Sequence, residues 1–124
     1  DGTRAYARAK RASTALAREW ARRNDGRVRF FSMHPGWADT PGLAESLPAF
    51  YDLMGPLLRT PAEGADTITW LATEPELDGR DGRLYLDRRA RPFDRLRSTR
   101  LSADQRRRLW DEVVRLTDVP QAAA

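Results

Sequence analysis

Apolar residues recur at intervals of three and four over residues 3–23, where Ala5, Ala9, Ala12, Leu16, Ala17 and Trp20 share a side and neither proline nor glycine interrupts. That period predicts a helix, and its many alanines favour one. Asn24-Asp25-Gly26 ends it, with a glycine free to turn left-handed and with Arg22 and Arg23 in the last turn to suit the helix dipole. The pattern then changes. Val28-Arg29-Phe30-Phe31-Ser32-Met33 is rich in aromatic and β-branched residues and predicts a short strand, whose apolar run suggests cover on both faces, as in a parallel sheet. A helix leading into such a strand is the second half of a crossover unit, so the fold class expected is α/β.

After the strand, His34-Pro35-Gly36-Trp37-Ala38-Asp39-Thr40-Pro41-Gly42 must redirect the chain, because proline cannot extend a ladder and glycine lets backbone come close. The carboxyl end of a strand in an open α/β sheet is where ligands bind. Thr40-Pro41 suits a helix start, with the hydroxyl as N-cap and proline in the first helical position. Residues 43–58 carry a broad apolar face broken by Pro48, Gly55 and Pro56, which predicts two short helical pieces, either a lid over an apolar substrate or plain packing. Thr60-Pro61-Ala62-Glu63 is a capping box that opens a helix to about Thr73, with Ala65, Ile68, Leu71 and Ala72 expected inward. A turn at residues 79–82, a strand at 83–87, an irregular stretch at 88–100, and a second capping box, Ser102-Ala-Asp-Gln105, follow. That box should open a helix to about Thr117 with Leu109, Val113 and Leu116 on one face, and residues 119–124 read as a frayed end.

At 124 residues the chain has the size of one domain or part of one, and because it opens at Asp1 directly into a helical pattern it reads as a portion of something longer. Net charge is +4, but the 22 basic and 18 acidic residues are interspersed, and the basic clusters at Arg88-Arg89-Ala-Arg91 and Arg106-Arg107-Arg108 are short. A solvated arginine-rich surface fits this better than a nucleic-acid stripe, so no nucleic-acid partner is expected. Cysteine is absent, which removes disulfides, thiolate metal sites and a cysteine nucleophile; no metal is expected. No apolar run approaches a membrane span and no signal-peptide pattern is visible, so a cytoplasmic protein without a membrane partner is expected.

Composition singles out one residue: Lys10 is the only lysine among those 22 basic residues, and it stands four after Tyr6. On a helix those positions share a face, so a phenol and an ammonium can serve one ligand. Lysine is a compact charge with three rotatable donors, suited to two sugar hydroxyls and able to lower the pKa of a neighbouring phenol. Alone, Tyr-x-x-x-Lys is a weak motif, equally explained by packing and a surface lysine. Together with Pro35-Gly36-x-x-x-Thr40 at a spacing of about 25 residues it is strong. The order of parts resembles the C-terminal half of the short-chain dehydrogenase/reductase family, from about Thr3 to Asp87. The strings YARAKR and SMHPGWADTPG look closest to the group of SDR family member twelve and its bacterial relatives.

The resemblance implies the C-terminal part of a Rossmann-like, doubly wound parallel sheet, with about two strands and four to five helices, and residues 88–124 as an extension. It implies an oxidoreductase acting with NAD or NADP on a carbonyl or alcohol, apolar if the lid is a guide. Tyr6 would be the general acid/base and Lys10 its assistant and ribose ligand. Pro35 and Gly36 would approach the nicotinamide, Thr40 would bond its carboxamide or the diphosphate, and Trp37, Leu43 and Leu47 would line the substrate pocket. It also implies a homodimer through the Tyr6 helix. His34 reads as structural. The family's glycine-rich turn, its Asn-Asn-Ala-Gly segment and its serine are missing, and neither Ser13 nor Ser32 holds the serine's place, so the piece alone is expected to be inactive. The alternatives are a non-catalytic relative that only binds, and a basic helical protein that binds nucleic acid through its arginine clusters.

Overall fold

The computed structural model describes residues 1–77 and 81–117. The predicted turn at 79–82 is therefore seen only from Asp81, and the predicted frayed end at 119–124 lies outside the described residues. The chain divides into two compact units, Asp1–Ser32 with Asp81–Arg83 and Pro92–Ala124, and Met33–Arg80 with Leu84–Arg91.

The first unit is built on helix α1, Gly2–Arg23. Asp1 caps it by accepting the Thr3 N–H at 3.1 Å, and Gly26 takes the left-handed turn beyond its end at φ +86°. The predicted helix is present, but its packed face differs from the expected one: Ala5 and Ala9 are exposed, and Ala15 and Glu19 are the buried residues. That face meets helix α5, Ala103–Thr117, whose buried residue is Trp110. Trp20 joins them, stacked on Phe30 at 5.8 Å and edge-on to Trp110 at 4.8 Å. The buried Glu19 carboxylate is ringed by Arg106 at 3.1 Å, Arg22 at 3.2 Å and Arg23 at 3.7 Å, the company a desolvated charge requires. The Ser102–Gln105 capping box forms as expected, while Leu116, expected on the inner face, is 66% exposed. Trp110 is the buried residue of this helix, and its ring packs edge-on against Trp20.

The strand predicted over residues 28–33 is shorter. Strand β1 is Ser32–Met33, and Val28 is 55% exposed. The Asn24 side-chain amide takes the Val28 carbonyl, which ties residues 24–28 into a loop before the ladder begins. Ser32 donates to the Arg83 carbonyl at 3.0 Å and His34 to that of Tyr85 at 2.9 Å, two bonds stepping the same way along both segments, the parallel sense. β1 thus pairs with strand β2, Leu84–Leu86, and β2 with strand β3, Arg89–Arg91, in the order β1-β2-β3.

Strand β3 is a correction, since 88–100 was expected to be irregular and two strands were expected in all. It runs antiparallel to β2, with Tyr85 opposite Ala90, through a tight turn in which Asp87 and Arg88 both adopt positive φ, 55° and 56°. Such a turn usually signals itself by glycine or asparagine, and Asp-Arg gave no such signal. The sheet is therefore mixed rather than purely parallel.

In the second unit, helices α2, Pro41–Ser46, and α3, Pro48–Met54, and a 3-10 turn, Gly55–Leu57, form the two short pieces predicted for 43–58. Helix α4, Pro61–Thr73, opens with the predicted reciprocal capping of Thr60 and Glu63. Its inner face is not the predicted one: Ala65, Ile68 and Ala72 are exposed, and Gly64 and Thr67 are buried. Gly64 is inside because it is small, since a Cβ there would stand 3.1 Å from that of Ala38. Trp70 packs edge-on at 5.6 Å against the buried Tyr85.

Candidate active site

Tyr6 and Lys10 lie near the start of α1, where residues 1–10 are all exposed. Helical spacing alone brings them together: the Lys10 ammonium sits over the Tyr6 ring, 5.5 Å from its centroid. This contact engages the ammonium's charge with the ring face. With Tyr6 65% exposed, the phenol is open to a ligand. A cleft of about 240 Å³ in the same unit is lined by Glu19, Arg22, Arg23, Ala103 and Arg107. By helical rise Arg22 is about 24 Å along the axis from Tyr6, so that charged cleft is separate from the pair.

Pro35, Gly36, Trp37, Thr40, Leu43 and Leu47 belong to the second unit. Gly36 has φ +78° and donates its N–H to His34 Nδ1 at 2.9 Å, which gives His34 the structural role expected of it. The loop is held from a distance. Arg59 donates its backbone N–H to the Trp37 carbonyl at 2.9 Å, and Asp39 donates to the Arg59 carbonyl at 2.7 Å, forming a bridge between Ala38 and Arg59. The Arg59 side chain then folds back. Its Nη1 makes a long bond of 3.4 Å to the Pro35 carbonyl, and the guanidinium grips Asp87 bidentately at 2.5 and 3.1 Å. It also fills the space beside Gly36, where a Cβ would come within 2.9 Å of it.

Thr40 caps α2 as predicted, accepting the Leu43 N–H at 3.3 Å and keeping its own O–H to donate. Trp37 is half exposed and packs on Phe50 at 4.6 Å, Leu43 is half-buried, and Leu47 is 37% exposed between α2 and α3. Tyr51 donates to Asp39 at 2.6 Å, tying α3 to the loop; the neighbouring carboxylate raises the Tyr51 phenol above its ordinary pKa. Arg59 in turn holds the Asp87 carboxyl below the usual carboxylate range. Arg59, Asp87, Asp39 and Tyr51 were not singled out from the sequence. The available signal was the place of Arg59 just before the capping box and of Asp87 at the end of the last predicted strand.

Many clustered arginines are engaged with carboxylates. Arg88 pairs with Asp66, Arg106 with Glu19, and Arg107 and Arg108 with Asp104.

Most of the chain is similar in sequence to known oxidoreductases. Over 93 residues the chain is 43% identical to dehydrogenase/reductase SDR family member 12 of Bos taurus, covering 74% of the chain and 29% of that protein. The chain belongs to the short-chain dehydrogenase/reductase family. This SDR chain is also 33% identical over 115 residues to retinol dehydrogenase 14 of Homo sapiens, covering 86% of the chain and 33% of the relative. To an oxidoreductase of Penicillium decumbens it is 39% identical over 99 residues, 70% of the chain and 28% of the relative. It thus spans about three tenths of the length of these SDR relatives. No family profile matches the chain, and no solved structure does.

Proposed function

We propose that this chain carries the proton-transfer pair and the nicotinamide-facing loop of an NAD(P)-dependent oxidoreductase acting on an apolar carbonyl or alcohol. The observation that carries the reading is the Tyr6–Lys10 pair, standing on one helix face in a chain akin to dehydrogenases and reductases over most of its length. The Tyr6 phenol donates its proton to the carbonyl oxygen in reduction and takes it back in oxidation. Lys10 stands one turn along the helix, and its N–H donors suit ribose hydroxyls.

For NADH or NADPH, the Lys10 ammonium of the first unit would suit the nicotinamide ribose and the Thr40 hydroxyl of the second its carboxamide, while the space a Cβ would take at Gly36 is already filled by Arg59. When bound, the dinucleotide supplies hydride to the carbonyl carbon. The glycine-rich cradle for its phosphates is not among these residues, so residues 1–124 alone should neither bind it tightly nor turn over substrate. Trp37, Leu43 and Leu47 offer the apolar contact for substrate. The exposed face of α1 suits a homodimer, and a cytoplasmic setting fits a chain in which, among the described residues, no helix is long and apolar enough to cross a membrane.

The test is reduction of an apolar ketone or aldehyde with NADH or NADPH by the protein expressed from its full coding sequence. Tyr6→Phe should lower kcat by about 100-fold or more. A Tyr6→Phe enzyme within twofold of wild type, by the same measure, would remove the proton-transfer assignment.

A further inference from the structure

We propose that Arg59 is a positioning residue for the Pro35-Gly36 loop, acting through Asp87, so that this ion pair sets how well the loop receives the nicotinamide. The inference rests on the reading of the site given above. Three observations carry it. Both terminal nitrogens of the guanidinium are committed to Asp87, and Nη1 also reaches the Pro35 carbonyl, so Arg59 is occupied by the protein rather than held free for a ligand. The guanidinium occupies the place beside Gly36 that a side chain would take, and this blocks collapse of a loop whose glycine has φ +78°. Asp87 directly follows β2 while the loop leaves β1, so the pair ties together the carboxyl ends of two neighbouring parallel segments.

The ion pair is too exposed to matter much for stability, since its side chains are 35% and 46% accessible and solvent screens such contacts. Its geometry is what counts. A bidentate fork fixes the plane of the guanidinium against the loop, which a lysine at position 59 could not do. The backbone bonds of Arg59 to Trp37 and Asp39 survive any side-chain change, so substitution should loosen the Pro35-Gly36 peptide without unfolding the loop.

The experiment compares wild type with Arg59→Met, Asp87→Asn and the reversed pair Arg59→Asp/Asp87→Arg in the full-length protein. Hydrogen exchange across residues 34–40 is read without ligand, alongside NADH and NADPH dissociation constants and steady-state kinetics. Both single variants should speed exchange at the Gly36 amide and raise the dinucleotide Kd by about tenfold, with kcat changed less than about threefold. All three variants should melt close to wild type, and the reversed pair should not recover Kd, because the guanidinium then hangs from the wrong side of the loop. Unchanged exchange in both single variants overturns the proposal, as does full recovery of Kd by the reversed pair. Should Arg59→Met fail to fold, the near-isosteric Asp87→Asn decides the matter. A wild type that binds neither dinucleotide defeats the underlying reading of the site, whereas the exchange data still report whether Arg59 holds the loop.

Discussion

The two parts of the candidate site are built by opposite means. Tyr6 and Lys10 come together because they are four residues apart on a helix, and nothing else in the chain need touch them; the whole of residues 1–10 is exposed. The Pro35–Gly36 loop depends on Arg59 and Asp87, 24 and 52 residues beyond Pro35, and its shape belongs to them as much as to its own sequence. A pair made by periodicity should fail only when the helix does. A loop made by remote contacts should be open to damage from several places.

The strongest way to break the contrast is Arg8→Pro, which places a ring between the two residues of the pair. It should cost about 3 kcal/mol or unwind the first two turns of α1, and either result separates Tyr6 from Lys10. Circular dichroism and thermal melting would show the loss, and an unchanged melting curve with intact activity would mean that the pair does not rely on helical spacing. Gly36→Ala should be milder, destabilising by about 1–2 kcal/mol, since an alanine must hold a left-handed φ and its Cβ must displace the Arg59 guanidinium. Chemical denaturation would measure it, and a neutral result would show that the loop has slack that the observed contacts do not suggest.

The smallest effect is a dependence on acid. Asp87, Asp66 and Glu63 are all held below their ordinary pKa, Asp87 and Asp66 chiefly by hydrogen bonds from Arg59 and Arg88, Glu63 chiefly by those from Thr60. A depressed carboxylate adds stability that is present above its unfolded value and lost as pH falls through its folded one. The second unit should therefore weaken modestly as pH drops below about 4, while the Tyr6–Lys10 contact, which contains no carboxylate, does not change. Fluorescence of Trp37 and Trp70 during acid titration would follow it, and a flat response down to the depressed range would mean that these exposed pairs are fully screened.

The same division explains what was legible beforehand. Helix ends carry their signals locally, so the Thr60–Glu63 and Ser102–Gln105 capping boxes, the Thr40 cap and the Gly26 turn are where the residues place them. Tyr6 and Lys10 needed only a period. Inward faces were harder, because burial depends on what lies opposite. Ile68 looks like core and is exposed, whereas Gly64 is buried because Ala38 leaves room for nothing larger. The β2–β3 hairpin was missed because Asp87-Arg88 lacks the glycine or asparagine that usually marks such a turn. Arg59 was hidden for a related reason: among 21 arginines only its place before a capping box sets it apart, and its partners, a carbonyl and a carboxylate far along the sequence, leave no local sign.

Strand β3 has a consequence for how this sheet can grow. It lies at one margin, all three of its residues are exposed, and Arg89 and Arg91 stand on either side of Ala90. A second copy docking antiparallel there, centred on Ala90, would set arginine against arginine, and like charges directly opposed resist pairing. The other margin, β1, offers Ser32 and Met33 and no such repulsion. Any additional strand is thereby steered to the β1 side, and fibril-like addition on the arginine side is discouraged.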